Sequence, residues 1–103
     1  MENNFDSALA IFVANCQDKI NSYFKATYEH VAPGTLVVMP GKKYVRIVNQ
    51  DTVSRSAWAF VDIATGDILK AASWKVPAKH SRGNIYKPES WVAVSAFGPA
   101  YLR

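Results

Sequence analysis

A β-hairpin signal in the middle of the chain constrains the fold more than any other feature. The segment Ala57–Ile63 is rich in aromatic and β-branched residues, which favour a pleated strand. Side chains alternate along a strand, so Trp58 and Phe60 are expected on one face and Ala59 and Val61 on the other. Apolar residues on both faces are typical of an interior strand.

The turn of this hairpin is predicted at residues 64–66. Gly66 can adopt positive φ without a Cβ clash, which favours a type I turn closed by a glycine bulge. The segment Asp67–Trp74 is then predicted to return as the partner strand. Pairing is expected to stop near Val76, because Pro77 has no N–H to donate.

An amphipathic helix is predicted over Phe5–Tyr28. Apolar residues recur there at steps of three and four, as one face of a helix requires. They are Phe5, Leu9, Phe12, Val13, Cys16, Ile20, Tyr23 and Phe24. Ile11 lies off this stripe, on the otherwise polar side.

The predicted helix is long for such a small protein. At ~1.5 Å per residue it extends about 36 Å, whereas a strand of seven residues spans only ~23 Å. One end of the apolar stripe is therefore expected to extend past the sheet. The helix breaks near Asn21-Ser22, or the C-terminal segment covers the stripe, or a second subunit does; we favour the second subunit.

The remaining segments complete an α+β fold. Thr35–Met39 and Lys43–Asn49 read as strands, and Gln50–Arg55 as a polar loop. The prediction is one long N-terminal helix packed on an antiparallel sheet of three to five strands, connected as a meander. A single domain is expected over residues 1–103, with the helix at about 5–28 and the sheet region at about 35–103.

The C-terminal third is less regular in pattern. Lys75–Lys87 is predicted to be irregular, since Pro77, Gly83 and Pro88 interrupt it. Periodicity leaves Trp91–Phe97 open between a strand and a short helix. A last strand segment is expected at residues 100–102.

Composition bounds the environment of the protein. The single Cys16 excludes an intramolecular disulfide. No apolar run approaches the ~18 residues of a membrane span, and the early apolar stretch follows Glu2 and Asp6 rather than the basic residues of a signal peptide. We expect a protein that is neither secreted nor membrane-bound, in the cytosol or packaged in a particle.

Positive charge is concentrated after the helix. Residues 1–32 carry two basic and four acidic side chains, whereas residues 33–103 carry ten basic and four acidic ones. Cations beside aromatic rings suit phosphates and stacked bases, so the segment from Lys70 to Lys87 is the predicted nucleic-acid contact. The candidate binding residues are Lys70, Trp74, Lys75, Lys79, His80, Arg82, Tyr86 and Lys87. The alternative is a solvated loop whose tryptophans fill the core.

Other chemistry finds little support in the pattern. A turn at residues 81–84 can hold an anion on its backbone N–H groups, but a single glycine favours an ordinary turn. Cys16 is expected to be buried and inert on the apolar stripe. His30 and His80 are too scattered to form a metal site with it. We predict no catalytic residue, no metal and no cofactor.

Several segments resemble a group of small uncharacterised proteins of marine tailed phages. They are AFVD, TGDILKAASWK, PAKHSRGNI and GPAYLR, within a likeness that runs from Lys43 to Tyr86 and over the last six residues. The resemblance implies a phage origin, and hence a location in an infected bacterial host or a phage particle. It implies no activity and no catalytic residue.

The functional prediction is a small non-enzymatic phage-type protein that binds nucleic acid or another anionic partner through a basic face. The alternative is a homo-oligomeric structural or assembly component of a virion, with the N-terminal helix as its interface. An accessory protein that inhibits the host is a third reading.

Overall fold

The computed structural model describes residues 4–27, 30, 32–51, 54–95 and 98–99. Helix α1 spans Asn4–Thr27 without a break, so an interruption near Asn21-Ser22 is excluded. The predicted end at Tyr28 lies outside the described residues. The buried positions of α1 follow the predicted stripe at steps of three and four; they are Leu9, Phe12, Cys16 and Ile20.

Five antiparallel strands form a meander, in chain order across the sheet. The predicted α+β fold is therefore confirmed. The strands are β1 (Thr35–Pro40), β2 (Tyr44–Gln50), β3 (Arg55–Asp62), β4 (Asp67–Ala71) and β5 (Pro77–Asn84). A 3-10 helix at Pro88–Ala93 and a short antiparallel pair, β6 (Val94–Ser95) with β7 (Gly98–Pro99), follow the sheet.

The main core lies between α1 and one face of the sheet. Ile47, Ala59 and Val61 are fully buried there and belong to the same apolar cluster as the helix stripe. Gln17 fastens α1 to β1, because its Nε2 donates to the Gly34 carbonyl at 2.9 Å and its Oε1 accepts from the Leu36 N–H at 2.8 Å.

A β-bulge in β3 changes the predicted alternation. Ile47 pairs with Ala59 and Val48 pairs with Ala57, so Trp58 is an extra residue in the ladder. Trp58 packs into the helix-side core, whereas Phe60 lies outside that cluster. The prediction that these two rings share a face is wrong, since a bulge shifts the alternation by one residue.

The β3–β4 turn forms as expected around Gly66. Its φ is +80°, and its N–H donates to the Asp62 carbonyl at 2.7 Å. The Asp62 carboxylate accepts from the N–H groups of Ala64 and Thr65 at 2.8 and 3.3 Å. A residue with positive φ is therefore required at position 66.

The second half of the hairpin differs from the prediction. Strand β4 ends at Ala71 rather than Trp74, and the chain turns at residues 72–76. Residues expected to be irregular form β5, with Pro77 as its first residue opposite Ala71. Proline is compatible with the start of an edge strand. Strand β5 is polar and exposed, and its register with β4 shifts twice. Its sequence therefore lacks the alternation of apolar and polar residues that predicts a strand.

The C-terminal segment covers part of α1, which is one of the three arrangements considered for the long helix. The Trp91 ring packs edge-on against Phe12, with 5.3 Å between centroids, and its indole N–H donates to the Asn84 carbonyl at 3.0 Å. Lys19 Nζ donates to the carbonyls of Trp91 and Val94 at 2.9 and 2.7 Å. The segment left open between strand and helix thus contains both, and the strand predicted at residues 100–102 lies outside the described residues.

Within the residues described here, no helix combines the length and apolar character that crossing a membrane requires.

Gly66→Ala is expected to destabilise the fold for two separable reasons. Positive φ costs a residue with a Cβ about 1–2 kcal/mol, and the new Cβ would lie 2.5 Å from Tyr86 Cε2. In a Tyr86→Ala background only the φ cost should remain. Urea unfolding of the four proteins of this cycle measures both parts, and an unchanged midpoint for Gly66→Ala would contradict the turn geometry.

Cys16 should make stability fall at high pH. Burial raises the pKa of its thiol from 9.0 to about 12, with the Lys19 charge acting in the opposite direction. As pH rises, the thiol ionises in the unfolded protein before it does so in the folded one. The contribution of the protonated Cys16 to the free energy of unfolding is therefore complete below pH 9.0 and is lost progressively up to pH about 12. The loss approaches about 1.4 kcal/mol per pH unit. Denaturant unfolding of Cys16→Ala should show a shallower pH dependence; identical slopes would refute the assignment.

Candidate nucleic-acid interface

The sheet face opposite α1 carries aromatic and basic side chains. Strand register places Arg46 opposite Phe60, and Phe60 opposite Leu69. Tyr44 lies two residues before Arg46 on the same side of β2. Phe60 and Leu69 are buried but do not belong to the helix-side cluster. We call this surface, together with the turn at residues 72–76 that lies beside it, the open face.

Arg46 joins the β4–β5 turn to the sheet. Its Nε donates to the Trp74 carbonyl at 2.8 Å. The guanidinium lies 4.8 Å from the Trp74 ring centroid and 5.7 Å from that of Phe60. Cation–π contacts of this kind contribute about 0.5–2 kcal/mol each. Arg46 therefore holds the turn against the open face and keeps Phe60 only 3% exposed.

Arg55 adds a second guanidinium to the same ring. It lies 5.5 Å from the Trp74 centroid, and its Nη2 donates to Met39 Sδ at 3.2 Å. The Trp74 side chain is 37% exposed but has two cations within stacking distance. Trp74 is thus a fixed part of an arginine–aromatic cluster rather than a free ring.

A cationic depression lies on one side of Tyr44, at the β1–β2 turn. Its volume is about 240 Å³. Four basic residues and no acidic residue line it, namely Lys42, Lys43, Arg46 and Lys75. Lys43 Nζ lies 5.4 Å from the Tyr44 ring centroid. Such a concentration of positive charge suits a phosphate group.

An apolar depression lies on the other side of Tyr44, at the start of β5. Its volume is about 430 Å³. The apolar lining is formed by Leu69, Val76, Pro77 and Ala78, and the basic lining by Lys75 and Lys79. Tyr44 and Lys75 line both depressions, so the two are adjacent.

Among the residues that the structure describes, no acidic residue lines either of these two depressions. Asp62, Asp67 and Asp51 bind groups in turns: the N–H groups of residues 64 and 65, the Asn84 amide and the Ser54 N–H, respectively. Asp6 and Asp18 are exposed on α1, on the opposite side of the sheet. Asp62 is nevertheless directly opposite Tyr44 in the β2–β3 ladder, so this turn carboxylate lies on the same sheet face.

The predicted binding residues occupy several places. Trp74, Lys75 and Lys79 lie at the open face. Lys70 pairs with Ala59 and lines a cleft on the helix side with Phe24 and Trp58, so it does not share that surface.

The other four predicted residues line neither depression. His80 is exposed in β5, and its carbonyl accepts from Arg82 Nη1. Tyr86 is 46% exposed and its ring lies against Gly66. Lys87 is exposed next to the 3-10 helix. Residues 81–84, expected to form a turn, are instead part of β5.

Sequence reasoning missed the residues of β2 and its preceding turn. Lys42, Lys43, Tyr44 and Arg46 were not among the candidates, although the alternation of β2 already separated Tyr44 and Arg46 from Val45 and Ile47. Two polar or amphipathic side chains on one face of a strand were the available signal. Their meeting with Trp74 depends on the path of the β4–β5 turn, which no local pattern encodes.

The fold and site define a small α+β protein with a helix on one sheet face and a basic, aromatic surface on the other. The profile of a family of unknown function, DUF7717, matches residues 5–96, and the chain belongs to this family. The match spans α1, all five strands and the 3-10 helix. No curated protein and no solved structure was found to match.

Proposed function

We propose that this protein is a non-enzymatic phage protein that binds nucleic acid through the open face. The observation that carries the proposal is the pair of adjoining depressions around Tyr44. Five basic side chains and no acidic one line them: Lys42, Lys43, Arg46, Lys75 and Lys79. Phosphates are neutralised by such groups, and the face offers cations and rings rather than a nucleophile beside a base.

The phage assignment rests on the sequence resemblance and agrees with the proposed site. The segments AFVD, TGDILKAASWK and PAKHSRGNI include Phe60, Leu69, Trp74, Lys75 and Lys79, all at the open face. The segments on which the resemblance rests therefore supply several residues of this surface. The proposed location is an infected bacterial host or a phage particle.

Nucleic-acid binding should be electrostatic and sensitive to salt. With three to five phosphates contacted, the logarithm of the binding constant should fall with the logarithm of salt at a slope of about −2 to −3.5, since each contributes ~0.7 for a single strand. Lys43→Glu with Lys75→Glu should weaken binding more than tenfold and flatten this slope. Fluorescence anisotropy of labelled single-stranded DNA and RNA measures both quantities.

The matched control reverses a charge on the other side of the sheet. Lys25→Glu, on the exposed side of α1, should leave the affinity close to that of the native protein. The matched single variant Lys75→Glu should lower the affinity. Lys87→Glu tests the longer predicted segment, and a loss as large as that of Lys75→Glu would extend the interface beyond the open face. Absence of binding to either polymer at about 50 mM salt would refute the proposal.

A homo-oligomeric virion component is the second candidate. Ile11 on α1 is 62% exposed, more than Val76, Tyr86, Trp74 or Val38, the other exposed large apolar residues of the described chain. An apolar side chain on the outer side of α1, away from the buried stripe, fits a contact between copies of the chain.

Oligomerisation through α1 makes a direct prediction. Light scattering at micromolar concentration should show a defined oligomer, and Ile11→Asp should dissociate it, because a charge would be buried in the interface. Ile11→Leu keeps the apolar contact and should stay assembled. A monomeric native protein would rule this candidate out.

A further inference from the structure

We infer that the apolar depression is a nucleobase subsite, so that the open face takes single-stranded rather than duplex nucleic acid. This inference rests on the proposed function and names the ligand class of the same site. Around Tyr44, one depression is lined mainly by basic side chains and the other mainly by apolar ones.

The chemistry of the two depressions matches the two parts of a nucleotide. One has four cations at the β1–β2 turn, which suit a phosphate. The other has apolar walls at Leu69, Val76 and Pro77 with lysines beside them, which suit a planar base. Its volume of about 430 Å³ lies within the roughly 300–1,000 Å³ of small-ligand pockets. Sharing Tyr44 and Lys75 places base and phosphate subsites side by side.

Tyr44 is the ring best placed to contact a base. It lines both depressions and is held edge-on against Phe60, with 6.2 Å between centroids and 79° between planes. Trp74, which the sequence favoured for stacking, already has Arg46 and Arg55 near its ring and lines neither depression. Tyr44 also has a cation near its ring, Lys43 Nζ at 5.4 Å, but unlike Trp74 it lines both depressions and can contact a ligand in either.

An occupied base subsite requires an unpaired base. In a duplex the bases are stacked and present only their edges in the grooves, whereas a single strand can turn a base out onto an aromatic side chain. Stacking on such a ring raises affinity roughly 5- to 150-fold per base. A duplex would meet only the cationic part of the face.

The test compares three ligands that contain the same number of phosphates per strand: a single-stranded oligonucleotide, an abasic oligodeoxynucleotide and a duplex. The native protein should bind the first at least fivefold more tightly than the abasic strand, and more tightly than the duplex. Tyr44→Leu should remove the preference, bringing the ratio of single-strand to abasic affinity close to one. Tyr44→Phe keeps the ring and should keep the preference.

The control and the contrary outcomes separate the two proposals. Tyr23→Leu makes the same change on α1, across the sheet, and should retain the preference. Equal affinity for abasic and base-containing strands would overturn the base subsite and leave polyanion binding intact. Failure to bind any of the three ligands would instead overturn the proposed function. Because the abasic comparison uses the native protein, the inference remains testable even where a Tyr44 variant fails to fold.

Discussion

One helix can cover only one face of a sheet, and this constraint shapes the whole molecule. Helix α1 buries its apolar stripe against Ile47, Ala59 and Val61. The opposite face has no helix over it, so its own side chains must shield its apolar residues from water. It does so with Arg46, whose guanidinium covers Phe60 and whose Nε binds the Trp74 carbonyl. Without that cover the ring of Phe60 would be left on an exposed sheet face. The arginine that makes this face stable in water is also the one that makes it attractive to anions.

This dual role explains why the site is built from distant segments. The β1–β2 turn supplies Lys42 and Lys43, and the β4–β5 turn supplies Lys75. Arg46 and Trp74, which bind each other across 28 residues of sequence, hold the β4–β5 turn against β2. Five cations around Tyr44 would repel one another in an isolated loop, but the ladder and the Arg46 contacts fix the backbone that carries them. Binding an anionic polymer would relieve that repulsion, which is how such a face gains affinity without a deep pocket.

Sequence patterns predicted the parts of the fold that rest on periodicity or on a single conformational requirement. The apolar stripe that contains Leu9, Phe12, Cys16 and Ile20 predicted α1, and the glycine at position 66 predicted the central turn, where φ is positive. Strand β5 was not predicted, because it is a polar edge strand whose register with β4 shifts twice and which therefore shows no alternation of apolar residues. The candidate site was reached only in part, through Lys75, Lys79 and Trp74. Its other part, on β2, depends on the tertiary path of the chain, and the bulge at Trp58 placed that ring on the face opposite Phe60.

The two proposed functions use opposite sides of the sheet and are therefore compatible. Nucleic acid would meet the basic open face, whereas a second copy would meet α1 at Ile11, on the side that also carries Asp6 and Asp18. A pair of chains joined through their helices would display two open faces outward. Two linked faces on one strand would bind more tightly than one, because the first contact would raise the effective concentration of the second face at the strand.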